Sequence, residues 1–249
     1  MAVSDETMAR VRKWDRHAAE EVLAECYPVV HRVAHVLIGD ATAAGRVTQH
    51  VLRQGMRVMP GWRKGLIPEN WFYHHTLLAV RETAPRQPPS PDRDLLVTAG
   101  PTGEPSYVAF VRAIRSLPGQ QMEAFVLHQG EKLNPRLLGV AMDCSTQAAA
   151  NHLAAAMETL RSIAGDNFSA HADALHRACM SLSPPAALVR SGARSQVGRA
   201  LWRRRFRRLI RRLVILALLA GIAYAAWRWR DPLMEWFNTL RSKATTKPS

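Results

Sequence analysis

The chain has 249 residues, 47% of them hydrophobic, enough to bury a sizeable core in one or two domains. Its 34 Lys and Arg outnumber 20 Asp and Glu, a formal net charge of +14, which excludes an acidic disordered tail protein and puts nucleic acid or an anionic membrane first among partners. Three scattered Cys exclude a disulfide scaffold and fit a reducing compartment, and no phosphate-loop or dinucleotide fingerprint suggests a nucleotide-binding enzyme.

Neither half of the chain sustains period-two alternation, so the elements read as helices and the fold class as all-α. In residues 1–83, apolar positions recur from Ala18 to Ile38, break at Gly39-Asp40 and resume from Val47 to Met59. After a second break at Pro60-Gly61, a third helix runs from about Glu69 to Glu82. Residues 84–105 hold six of the 15 Pro and read as a linker between two helical domains. In residues 106–163, helices fit near 106–115, 119–128, 135–141 and 146–162. Asn134-Pro135 is a capped start with proline in the first position, and Ser145 caps the helix that follows. A short helix, the turn Met142-Asp143-Cys144 and a longer helix make either a helix-turn-helix, with Gly139 allowing a close crossing, or an ordinary helical hairpin. Residues 164–189 supply a short helix and then the break Ser183-Pro184-Pro185.

The charge is not spread evenly. From Arg190 to Arg212 there are ten Arg and no acid, whereas residues 1–189 carry only +1. Directly after this Arg-rich juxtamembrane segment (190–212) comes an uncharged run of 15 residues, Leu213 to Trp227. Counted from Leu209 to Trp229, the stretch has 21 residues and reaches the length of a span if Arg211, Arg212 and Arg228 snorkel to the headgroups. A transmembrane helix over 213–229 is therefore expected; a buried core helix or one lying in the membrane interface is the alternative. Arg203, Arg204, Arg205, Arg207, Arg208, Arg211 and Arg212 would meet an anionic inner membrane, with Trp227 and Trp229 as interfacial anchors. The positive-inside rule places the N-terminal domains in the cytoplasm and a tail, 230–249, outside, where Leu233, Trp236, Phe237 and Leu240 form an apolar face after an Asp231-Pro232 helix start. No apolar stretch precedes Val29, so no signal peptide is expected.

The order of these parts resembles the extracytoplasmic-function sigma factors of bacterial RNA polymerase. The resemblance covers roughly residues 20–163, and rests on Tyr27-Pro28 through Leu37-Ile38-Gly39-Asp40, Val47-Thr48-Gln49, Trp71-Phe72-Tyr73, Leu117-Pro118 with Ala124-Phe125-Val126-Leu127, and a helix opened by Ser145 and closed by Leu160-Arg161. It implies a region 2-like domain (1–83) that binds core polymerase and the melted promoter strand, and a region 4-like helix-turn-helix domain (106–163) that reads promoter DNA. Gln49, Leu52 and Arg53 would then contact RNA polymerase core. Trp71, Tyr73, His74 and His75 would stack on unpaired bases, core packing being the alternative for Trp71 and Phe72. Ser145, Gln147, Asn151 and His152 would face duplex promoter. An anti-sigma or other regulatory protein is a further implied partner.

The chain also departs from that family. Gly45 and Arg46 stand where it carries an acidic pair, and His50 replaces the following acid, which weakens docking onto a basic surface. The recognition helix has no Lys or Arg between Arg136 and Arg161, so phosphate neutralisation is missing where it matters most. A degenerate, membrane-bound scaffold or decoy is thus the rival reading. His31 with His35, and His171, Asp173, His176 and Cys179, have metal-compatible spacings but no completing ligands; no metal, cofactor or catalytic residue is expected.

Overall fold

Short polar side chains at the caps decide where these helices begin. Ser4, Asp15, Asp40, Asn134 and Ser145 each accept a hydrogen bond from the amide three residues on, satisfying one of the donors a helix start leaves unpaired. The computed structural model describes residues 3–83, 90, 93–101, 104–228 and, singly, 236, 238, 240 and 241. In chain order the helices are α1 (Asp5–Arg12), α2 (Arg16–Ile38), α3 (Ala41–Val58), α4 (Pro68–Thr83), α5 (Leu95–Thr98), α6 (Pro105–Ser116), α7 (Gly119–Glu131), α8 (Pro135–Met142), α9 (Thr146–Ala164), α10 (Phe168–Ser181) and α11 (Ala186–Arg228). Among the described residues there is no strand, so the chain is all-α.

Two short elements escape the sequence reading. In α1 only Thr7, Met8 and Val11 are buried, too little apolar periodicity to read. In the proline-rich stretch, Asp94 accepts from the Leu96 amide and starts the single turn α5. Conversely, α11 starts as soon as Pro184-Pro185 is passed and already includes Leu188 and Val189.

Residues 1–200 form one unit and 201–249 another. In the first unit α2, α3 and α4 pack around Leu23, Val51, Leu52, Phe72 and Leu77, all fully buried. A second group, α6 to α9, packs around Phe110, Ile114, Phe125, Leu138 and Leu160, with α10 laid against α7. The groups face each other, α4 against α8 and α2 against α7. Three arginine–carboxylate pairs hold this arrangement. Arg32 of α2 donates to both Glu131 oxygens at 2.7 and 2.6 Å, and Arg81 of α4 to both Glu123 oxygens at 2.8 and 2.6 Å. Arg115 of α6 donates twice to Asp94 and a third time to the Leu37 carbonyl at the end of α2. The Arg115 and Asp94 side chains are only 6% and 3% exposed. Planar guanidinium–carboxylate forks of this kind set orientation as well as attraction.

In the second unit α11 continues to Arg228, and its apolar side chains from Leu209 to Ile222, with Tyr224 and Trp227, are exposed on every face. Among the described residues, no helix is long and apolar enough to cross a membrane. The uncharged run between Arg212 and Arg228 spans about 22 Å at 1.5 Å per residue, against a hydrocarbon core of roughly 30 Å. The transmembrane helix expected over 213–229 is therefore not supported; its described part, up to Arg228, is an exposed apolar helix segment. Trp229 and most of the 230–249 tail, with Asp231, Leu233 and Phe237, lie outside the described residues; Trp236 and Leu240 are helical and exposed.

Replacing Arg115 with Ala strands a buried Asp94 carboxylate and the Leu37 carbonyl. A loss of about 3–5 kcal/mol in urea unfolding is expected, and Arg115→Lys recovers only part of it, because an ammonium cannot make the two-pronged contact.

Candidate nucleic-acid interface

The turn between α8 and α9 is tight for a steric reason. A Cβ on Gly139 would stand 2.9 Å from the Cys144 carbonyl and 3.2 Å from the Thr146 amide, both backbone atoms that cannot swing aside. Asp143 closes α8 in the left-handed conformation at φ 57°, and its amide bonds back to the Gly139 carbonyl. Ser145 then caps α9 through the Ala148 amide. Buried Ala149, Leu153, Ala156 and Leu160 make one face of α9, which leaves Gln147 and Asn151 on the solvent side. Their amide groups bond to each other, Gln147 Nε2 donating to Asn151 Oδ1 at 3.0 Å. His152 is half-buried, and Ser145 is exposed. This face can offer amide donors and acceptors to base edges but almost no positive charge; Arg136 of α8 is the nearest exposed cation in sequence.

The four aromatic positions on α4 divide. Trp71 lies in a ring cluster with His75 at 3.9 Å, Phe72 at 5.1 Å and Trp62 at 5.2 Å, half-buried rather than presented flat to solvent. Phe72 is fully buried, and a Cβ on Gly55 of α3 would meet its ring at 2.6 Å. Tyr73 and His74 instead turn towards the second helical group. The Tyr73 hydroxyl donates to Glu131 at 3.4 Å, and the His74 ring sits 3.3 Å from the Ala141 carbonyl of α8. Burial, reinforced by Glu131, pushes the Tyr73 phenol far above its ordinary range, so it stays a neutral donor. Burial also lowers the basicity of His75, with His74 adding to it. Trp71 with His75 thus forms the accessible half, and Tyr73 with His74 the half engaged inside the protein.

On α3, Leu52 is fully buried, Arg53 is exposed, and Gln49 is half-buried with its side-chain oxygen accepting from Gln196 Nε2 at 2.6 Å. Gln49 and Arg53 line a cleft of about 790 Å³ with Arg46, His50, Tyr27 and Leu188. At its wall the rings of His31 and His35 stack 3.8 Å apart, each with Nδ1 on a backbone carbonyl, those of Leu182 and His31. Desolvation and the adjacent His35 hold His31 down at about 4, so the pair is neutral at pH 7. Among the described residues, no group of three or more His, Cys, Asp or Glu could hold a metal. His176 caps the Gln129 and Gly130 carbonyls instead, His171 packs on Phe110 and Tyr107, and burial pushes the Cys179 thiol up to about 12.

Glu123, Glu131, Arg32 and Arg81, which join the two groups, escape sequence reading because their partners lie 42 and 99 residues apart. Trp62 carried a visible signal, an aromatic directly after the Pro60-Gly61 break.

No protein-family model matches the chain, and no curated protein is detectably similar to it. Among solved structures, the chain is similar to the sigma factor RpoE in its co-crystal structure with the anti-sigma factor NepR from Bartonella quintana. The identity is 14% and the TM-score 0.43, over 58% of this chain and 94% of that one. A likeness at that level assigns neither family nor function.

The depressed basicity of His31 makes stability pH-dependent. Its folded value, about 4, lies below the ordinary 6.5, so the unfolded chain takes up the proton first as pH falls. Stability from this group is complete above about pH 6.5 and declines toward pH 4. Urea unfolding at pH 7 and pH 5 is expected to differ by about 1–2 kcal/mol, after discounting for partial exposure, and His31→Gln should flatten the difference.

Proposed function

We propose that the chain is a divergent, membrane-attached sigma-like transcription factor that binds RNA polymerase core and promoter DNA. The observation that carries the reading is the ordered set of motifs in 27–161, in which a three-helix group with an aromatic α4 is followed by a capped helix-turn-helix. In this reading α3 meets the polymerase through Gln49 and Arg53, with Leu52 holding the helix in place. Trp71 and His75 take an unpaired base, and Gln147 and Asn151 exchange their mutual hydrogen bond for contacts to base edges, adenine being the best fit for an amide. With Arg161 in its last turn the sole cation of α9, DNA affinity rests mainly on contacts other than phosphate and is weak by itself.

A second reading, a membrane-bound scaffold or decoy acting through protein contacts, is favoured by a specific observation. Tyr73 and His74, two of the four presumed strand contacts, are engaged on Glu131 and the Ala141 carbonyl. Tagged full-length chain extracted from membranes is expected to bring down core polymerase and support promoter-dependent run-off. Recovery of no polymerase subunit overturns the sigma reading; recovery without any promoter-dependent transcript moves the assignment to the decoy.

For the C-terminal segment, we propose embedding in an anionic inner membrane, with the N-terminal helices on the cytoplasmic side. Support comes from seven Arg between 203 and 212, adjoining apolar side chains exposed all round the helix. Each Arg near an anionic surface is worth about 1 kcal/mol before screening. The chain should therefore stay with membranes through an alkaline carbonate wash. Exchanging Arg203, Arg204, Arg205, Arg207 and Arg208 for Gln should weaken its binding to phosphatidylglycerol vesicles at least tenfold.

A further inference from the structure

The first turns of α11 have a dry side. Val189, Ala193, Gln196 and Val197 are buried, and their spacing of three and four residues makes one stripe, while Arg190, Arg194 and Arg199 stay exposed on the other faces. The same stretch meets α2 at Gly192 and α3 at Gln196. Gly192 crosses directly over Tyr27, where an added Cβ would stand 2.5 Å from the ring, so only glycine fits. One turn on, Gln196, 3% exposed, donates to Gln49 at 2.6 Å. The connection from α10 is tied down on the same side, with the Leu182 carbonyl on His31 and the Ser183 hydroxyl accepting from Arg32 at 3.3 Å.

This coverage bears on Gln49, the side chain expected to reach the polymerase. A half-buried Gln49 whose amide oxygen is already bonded by Gln196 is not free to meet a partner, and α11 occupies the space above it. The seal is also slight. Two valines, an alanine and a glycine do the packing, Leu188 remains 44% exposed, and the 790 Å³ cleft stays open beside it. Among the described residues no ion pair holds the 186–197 stretch to α2 or α3. Small side chains and one neutral hydrogen bond make a contact that can be exchanged for another helix.

We infer that residues 186–197 are a detachable latch, closed over the Gln49 face of α3, which limits the access of polymerase to that face and releases it fully when α11 is lifted. The inference rests on the reading that this face docks on polymerase, and the experiment separates the two. Val197→Cys, fully buried in the parent, serves as the opening probe. Its maleimide labelling rate is read by peptide mass spectrometry in the full chain in detergent. Gly192→Leu drives a side chain into Tyr27, and Gln196→Ala removes only the hydrogen bond, which guards against misfolding of the bulkier variant. Gly192→Leu is expected to raise labelling at least tenfold and Gln196→Ala about threefold. Capture of purified core polymerase should rise in the same order, with far-UV helix content unchanged. Unchanged labelling in both variants overturns the latch. Faster labelling with capture no better than the parent's overturns its role as a cover. Faster labelling with no capture by any form, parent included, overturns the polymerase reading while the latch itself stands.

Discussion

The arrangement of residues 1–200 depends on Arg32 meeting Glu131. A glutamate at the end of α7 accepts two bonds from an arginine in the middle of α2, with side chains 11% and 8% exposed, and also accepts from Tyr73 of α4. The same arginine reaches Ser183 at the turn into α11. One ion pair thus gathers four parts of the chain. Removing either partner leaves an uncompensated charge in a water-poor place, a far larger penalty than the pair's net contribution to stability. Its value is geometric, since a fork with fixed donor directions admits one relative placement of the two helices.

Arg81–Glu123 and Arg115–Asp94 repeat this logic on either side. All three pairs join residues far apart in sequence, and two of the three carboxylates stand on α7. The consequence for the presumed DNA-contacting surface is direct. Once α4 is drawn against α8, Tyr73 and His74 become internal, while Trp71 and His75 keep partial access through their own ring cluster. In the proposed reading, the surface left for a nucleic acid is then divided between α4 and the amide face of α9. Neither part carries the positive charge that dominates ordinary DNA affinity.

Much of the fold was legible beforehand because its signals are local. The starts of α8 and α9 are written by Asn134-Pro135 and Ser145, each acting on an amide three residues on; Asp15 and Asp40 cap α2 and α3 in the same way, but the apolar pattern put those starts later, at Ala18 and Val47. Gly139 could be singled out because a tight turn needs a missing side chain at a predictable place. The C-terminal segment shows the opposite case. Its apolar run is plain in the sequence, yet the described helix ends its uncharged stretch at Arg228, too short for the expected span. The site residues were only half legible. That Trp71 and Tyr73 are aromatic neighbours is a fact of sequence; that they point to different surroundings follows from which helix packs on α4.

The sequence by itself determined the helical class, the boundaries of most helices and the concentration of charge in one Arg-rich stretch, because caps, proline breaks and composition act within a turn or two. Only the tertiary structure decided that Arg32 finds Glu131, that Tyr73 and His74 turn inward, and that α11 lies over Gln49. Those contacts bring together residues 58 to 151 positions apart, chosen by shape and charge complementarity between finished helices. No local pattern encodes such a choice, since the same helices with the same caps could meet along other faces.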